Sequence, residues 1–86
     1  MKTWKFQYGN TNIEVRNAMT SCELYINDQK VDEEKGLDLF VNLSGDLDNG
    51  EKILANVYAD PSIKDLNKIT CDLYVVKEKL TEIKED

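Results

Sequence analysis

Two stretches of this chain read almost alike, and that constrains the fold more than any other feature. Cys22-Glu23-Leu24-Tyr25-Ile26-Asn27-Asp28-Gln29-Lys30-Val31 returns as Cys71-Asp72-Leu73-Tyr74-Val75-Val76-Lys77-Glu78-Lys79-Leu80, displaced by 71 − 22 = 49 positions. With the cysteines aligned, Leu, Tyr and Lys coincide. Glu then matches Asp, Ile matches Val, Gln matches Glu and Val matches Leu. In the first copy Cys22, Leu24 and Ile26 alternate with Glu23, Tyr25 and Asn27, the period of a strand with one buried face. Asn27 and Asp28 both tolerate positive φ, so they read as a two-residue hairpin turn.

The rest of the chain carries the same alternation. Trp4, Phe6 and Tyr8 alternate with polar residues, Gly9-Asn10 supplies a turn, and Ile13 and Val15 alternate with Glu14 and Arg16. A brief return strand is expected around Lys30 and Val31, followed by a solvated charged linker over Asp32-Glu33-Glu34-Lys35-Gly36. Leu37, Leu39, Val41 and Leu43 then alternate with Asp38, Phe40, Asn42 and Ser44, and Asp48-Asn49-Gly50 signals the next hairpin. Ile53, Ala55 and Val57 share one face of the following strand, Leu54 and Tyr58 the other. Asp60 to Lys68 holds the single proline and breaks the pattern. It suits either one helical turn capped by Asp60 or an open loop. The second copy predicts a strand from Ile69 to Val76, a turn near Lys77-Glu78, and a last strand from Lys79 to about Ile83.

About eight short strands joined by turns predict an all-β fold, an antiparallel β-sandwich in a single domain spanning 1–86. Its two pseudo-repeated halves cover about 4–32 and 37–83. A small closed β-barrel is the alternative topology. Eighty-six residues bury only about 60 to 65% of the unfolded chain's surface, so the core must be compact.

Leu24-Tyr25-Ile26-Asn27-Asp28 with its Lys-Val return strand, then Leu43-Ser44-Gly45, Gly50-Glu51-Lys52-Ile53 and Leu73-Tyr74-Val75, is similar to the repeating pattern of the Fas apoptotic inhibitory molecule family. It also resembles a set of small, uncharacterised bacterial proteins organised in the same way. The resemblance implies a compact, non-enzymatic β-sandwich in which a Leu-Tyr-Val-Asn-Gly hairpin recurs. Asp28 stands where that pattern has Gly, the second copy reads Val76-Lys77 at its turn, and the segment around Pro61 is long.

The chain contains no histidine, which removes Ser-His-Asp and Cys-His arrangements, His-ligated zinc and the commonest general base near neutral pH. It shows neither a Gly-rich phosphate loop nor a G-x-S-x-G elbow. The expectation is a protein that is not an enzyme, with no catalytic residue, no cofactor and no metal site. Asp46 to Glu51 has the flavour of a calcium loop, but started at Asp46 the sixth position is Glu51 and the twelfth Val57, where an EF-hand needs Gly and Glu. A hairpin turn is the reading here. A net charge of −6 argues against phosphate-backbone binding, so no nucleic-acid partner is expected. The lysines near Met1 have no apolar run behind them, and no stretch is long enough to cross a bilayer. A cytoplasmic protein without a membrane partner is the expectation.

Cys22 and Cys71 share their face with Leu24, Ile26, Leu73 and Val75, which makes them core residues before they are reagents. Buried free thiols are expected. A disulfide, the alternative, closes a loop of about 49 residues worth roughly 4 kcal/mol. The outward aromatics carry the functional expectation. Tyr25, Phe40 and Tyr74 point away from the cysteine side and are candidate partner contacts, for a protein or for a second copy of the chain. The alternative is a small-molecule or carbohydrate binder that stacks its ligand on Trp4, Tyr25 or Tyr74.

Overall fold

The computed structural model of the chain describes residues 2–18, 20–36, 40–59, 69–76 and 78–83. Eight strands run β1 (Lys2–Tyr8), β2 (Thr11–Asn17), β3 (Ser21–Ile26), β4 (Gln29–Lys35), β5 (Phe40–Asp46), β6 (Lys52–Ala59), β7 (Ile69–Val75) and β8 (Glu78–Leu80). They form two four-stranded antiparallel sheets, each a simple meander, ordered β1-β2-β3-β4 and β5-β6-β7-β8. The sheets do not close into a barrel, and no helix occurs among the described residues. The expected β-sandwich is the architecture; the barrel alternative is not. Leu37, Leu39 and the segment Asp60 to Lys68 lie outside the described residues.

Alternation decides which residues are inside. Trp4 and Phe6 on β1, Ile13 and Val15 on β2, and Cys22 and Leu24 on β3 are buried against Val41, Leu43, Ile53, Ala55, Val57, Cys71, Leu73 and Val75 from the other sheet. Their neighbours in sequence face out. Val15, Leu24, Ala55 and Leu73 expose none of their surface. They lie in two matching cross-strand rows, Trp4–Val15–Leu24–Asp32 in one sheet and Leu43–Ala55–Leu73–Leu80 in the other. The register agrees beyond these rows, for Ile13 pairs Ile26 as Ile53 pairs Val75, and Tyr25 pairs Lys30 as Tyr74 pairs Lys79.

The segment Asp32 to Lys35, expected as a solvated linker, is instead the second half of β4. Val31 has no partner in the ladder, because Leu24 pairs Asp32 while Tyr25 pairs Lys30. This β-bulge bends the edge strand toward the other sheet. There the Asp32 carboxylate accepts a hydrogen bond from the Ser44 N–H at 2.8 Å, satisfying a donor on the edge of β5. Gly45 makes the same corner possible. A Cβ at Gly45 would stand 2.9 Å from Val31 Cγ2 and 3.2 Å from Ile26 Cδ1, in the register position that Phe6 holds in the first sheet.

The turns follow their residues. Gly9 takes φ +59° between β1 and β2, and Asn27 and Asp28 take +48° and +67° between β3 and β4, the two-residue turn expected there. The Leu47 N–H donates to the Glu51 carbonyl and the Gly50 N–H to the Leu47 carbonyl, closing the β5–β6 hairpin. The last strand differs from expectation. It begins at Glu78 and stops at Leu80, and the chain then crosses to the first sheet, where the Ile83 N–H donates to the Lys5 carbonyl at 2.8 Å. Leaving the ladder ties Ile83 to the edge of β1.

Candidate functional site

The two outer faces have different chemistry. On the first sheet Glu14, Arg16, Glu23, Lys30, Glu33 and Lys35 lie side by side in the ladder. Arg16 pairs with Glu14 and lays its guanidinium 4.1 Å from the centre of the Tyr25 ring. The Tyr25 hydroxyl donates to Glu23 at 3.2 Å. Lys30 donates to Glu33 at 3.1 Å and to Glu23 at 3.4 Å, and the first of these bonds leads in holding the Glu33 carboxyl below its usual range. The Arg16 guanidinium is pushed up chiefly by its bond to Glu14. Every group here already has a partner on the same sheet, so the face is a lattice of solvent-screened ion pairs that add little to stability.

On the second sheet three cross-strand rows face outward. The first is Phe40–Tyr58–Thr70, the second Asn42–Asn56–Asp72, and the third Ser44–Leu54–Tyr74–Lys79. Phe40 is 57% exposed and Leu54 41%, whereas Tyr58 and Tyr74 are half-buried. The Phe40 and Tyr58 rings lie 6.3 Å apart, tilted by 31°. A cross-strand aromatic pair of this kind contributes about 0.5 to 1.5 kcal/mol beyond its area. Asp72 is held from both sides, by the Tyr58 hydroxyl at 2.8 Å and by Lys79 at 3.2 Å. Asp46 and Lys52 pair at 3.1 Å at the end of the face. That pair sits in an ordinary hairpin, as the sequence suggested for the Asp46 to Glu51 loop.

Below the third row, where β4 bends toward β5, a groove of about 650 Å³ is lined by Val31, Ser44, Gly45, Asp46, Lys52 and Leu54, with Ile53 at its floor. Val31 is 43% exposed there. The sequence thus predicted three contact residues that the fold does not bring together. Phe40 and Tyr74 share the second sheet's outer face, at opposite ends, while Tyr25 is on the other sheet under Arg16. Trp4, expected as a stacking platform, is a core residue only 3% exposed, with Lys2 Nζ 5.4 Å from its ring centre. Its place in the alternation with Phe6 puts it inside. Tyr58 and Leu54 complete the face, although the sequence places them only opposite Ile53 and Val57 on one strand.

The cysteines lie inside the sandwich, both as free thiols. Burial pushes Cys22 up to about 11. Burial also dominates at Cys71, pushed up to about 12, with a smaller contribution from Cys22. Neither is poised as a thiolate nucleophile. No group of three or more potential metal ligands stands together among the described residues, and no helix among them is long and apolar enough to cross a membrane. No family model, curated protein or solved structure matches the chain.

Proposed function

We propose that this protein is a non-catalytic binding module that engages a protein through the outer face of β5, β6 and β7. One observation carries the reading. In a chain of net charge −6, three successive rows of this face hold Phe40, Asn42, Leu54, Asn56, Tyr58 and Tyr74, and the one acid in those rows among the described residues, Asp72, is already paired. Depletion of charge with enrichment of aromatics is the compositional mark of an interface centre. The opposite face is crowded with ion pairs whose desolvation is costly. The carbohydrate reading is less favoured, because Trp4 is in the core and Tyr25 is covered by Arg16, which leaves only the half-buried Tyr74 of its three platforms.

A photoreactive phenylalanine analogue in place of Phe40, with the same analogue in place of Tyr25 as the control, tests this. Illumination in cells should give a discrete protein adduct from position 40 and none from position 25. Equal labelling at both positions, or none at either, would overturn the assignment of the face.

A further inference from the structure

Resting on that reading of the face, we infer that its occupant is a second copy of this chain, docked face to face about a two-fold axis that runs across the strands at the level of Asn56. Charge leaves the two outer faces as candidates. On the first sheet Glu14, Glu23 and Glu33 are balanced by Arg16, Lys30 and Lys35, and the cost of desolvating those pairs then favours the second sheet. Two copies of net charge −6 repel, and they meet at least cost where the surface is electrically neutral. Among the described residues the second sheet's outer face is neutral: its acids Asp46 and Asp72 are balanced by Lys52 and Lys79 at 3.1 and 3.2 Å. The negative excess lies elsewhere, in turns and rims such as Asp28, Asp48 and Glu51.

Shape then selects the arrangement. An isologous contact requires a surface complementary to itself. Phe40 projects at one end of β5, and the groove lined by Val31, Ser44 and Leu54 opens at the other end of the same strand. A two-fold axis perpendicular to the strands keeps β5 opposite β5 and reverses its direction. Phe40, two residues above Asn42, then meets Ser44, two residues below it, and the ring of each copy enters the groove of the other. The middle row falls on itself. It holds Asn42, Asn56 and Asp72. An amide both donates and accepts, so Asn42 and Asn56 can face their own copies without leaving a group unsatisfied. Asp72 meets its copy already held by the Tyr58 hydroxyl at 2.8 Å and by Lys79 at 3.2 Å. The two sheets are then antiparallel, close to the aligned packing that twisted sheets prefer.

Size sets the strength. Three strands of seven, eight and seven residues, at a rise of ~3.4 Å and a spacing of ~4.8 Å, give a face on the order of 24 by 14 Å. That is about 340 Å² per partner and about 700 Å² in all, below the ~1,200 Å² of stable specific interfaces and in the range of weak, transient contacts. The dimer is weak and reversible.

Sedimentation equilibrium of the purified chain, from about 10 μM to about 1 mM, should show monomer and dimer in exchange. Asn56→Lys and Asn56→Asp each bring like charges together across the axis, so each variant alone should sediment as a monomer. A one-to-one mixture should associate again, which a misfolded variant would not do. A wild-type chain that is monomeric throughout would overturn the inference, and so would single variants that dimerise like the wild type. The mass of the position-40 adduct separates the two readings. Twice the chain mass supports both, and an adduct with a different protein together with a monomeric chain leaves the binding face standing while the self-pairing falls.

Discussion

Cys22 and Cys71 show how far a single side chain's behaviour follows from its place in the alternation. Both thiols are buried, at 2% and 9% exposure, because each occupies the inward position two residues before a fully buried leucine. Burial raises them from the ordinary 9.0 to about 11 and about 12. A raised acid keeps its proton in the folded protein at a pH where the unfolded chain has lost it. Above about pH 9 the unfolded state therefore binds fewer protons, and stability falls as pH rises toward 12. Chemical denaturation at intervals from pH 8 to 11 should show this slope in the wild type and a shallower one in the Cys22→Ala/Cys71→Ala protein. The baseline of the variant will be lower because alanine leaves space, so the slope is the readout. Raised groups such as Tyr8 beside Glu51 and Lys30 beside Glu33 remain in both proteins. Equal slopes would mean the thiols are not what titrates. The position of these cysteines is legible in sequence because period two assigns a face directly. The composition of the outer site is not. Phe40 touches Tyr58, and Tyr58 touches Asp72, through ladder register between strands, which no local pattern specifies.

At the level of strands and turns, the two hairpins that come after the cysteines make a controlled comparison. After β3 the chain turns at Asn27-Asp28, both at positive φ, and these residue types adopt that conformation readily. After β7 the aligned position is Val76, held at φ +59°. For a β-branched residue this is a strained conformation costing on the order of 1 to 3 kcal/mol. Val76 is 60% exposed, so its side chain gains little in return. Val76→Asn should therefore stabilise the protein by about 1 kcal/mol, read as a higher denaturant midpoint at unchanged m-value. Asn27→Val, the reverse change in the other hairpin, should destabilise it by more than that, because it also removes the Asn27 Oδ1 that accepts from the Asn12 N–H at 2.9 Å. A Val76→Asn protein no more stable than the wild type would show that the strain is relieved elsewhere. The same pair of hairpins explains what the sequence conceals about strands. β4 is readable only as far as Val31, because an edge strand with Asp32, Glu33, Glu34 and Lys35 has no apolar face to announce it, and the bulge at Val31 shifts the parity of the residues after it. The start of β8 is hidden because its register is set by the turn at Val76, whose residue type gives no turn signal.

For the molecule as a whole, the decisive fact is that the core belongs to both sheets at once. Among the described residues, Trp4, Phe6, Ile13, Val15, Cys22 and Leu24 form one cluster with the buried residues of β5, β6 and β7 and with Leu47. Neither meander has a second layer of its own among the described residues, and single sheets with a bare apolar face are not independently stable at this size. The similarity of the two halves in sequence therefore does not make them two units of stability. The chain should unfold in one cooperative transition, with equal calorimetric and van't Hoff enthalpies. Leu24 and Leu73, fully buried at aligned positions in different sheets, allow the test. Leu24→Ala and Leu73→Ala should each cost about 2 to 5 kcal/mol, and each should lower the same single transition. The fall per kcal/mol should be about 4 to 8 °C, as for domains of this length. If scanning calorimetry instead resolved two transitions, one responding to Leu24→Ala and the other to Leu73→Ala, the sheets would be separate folding units. Two sheets that shared one core could not separate in that way, because removing either one strips the cover from the other.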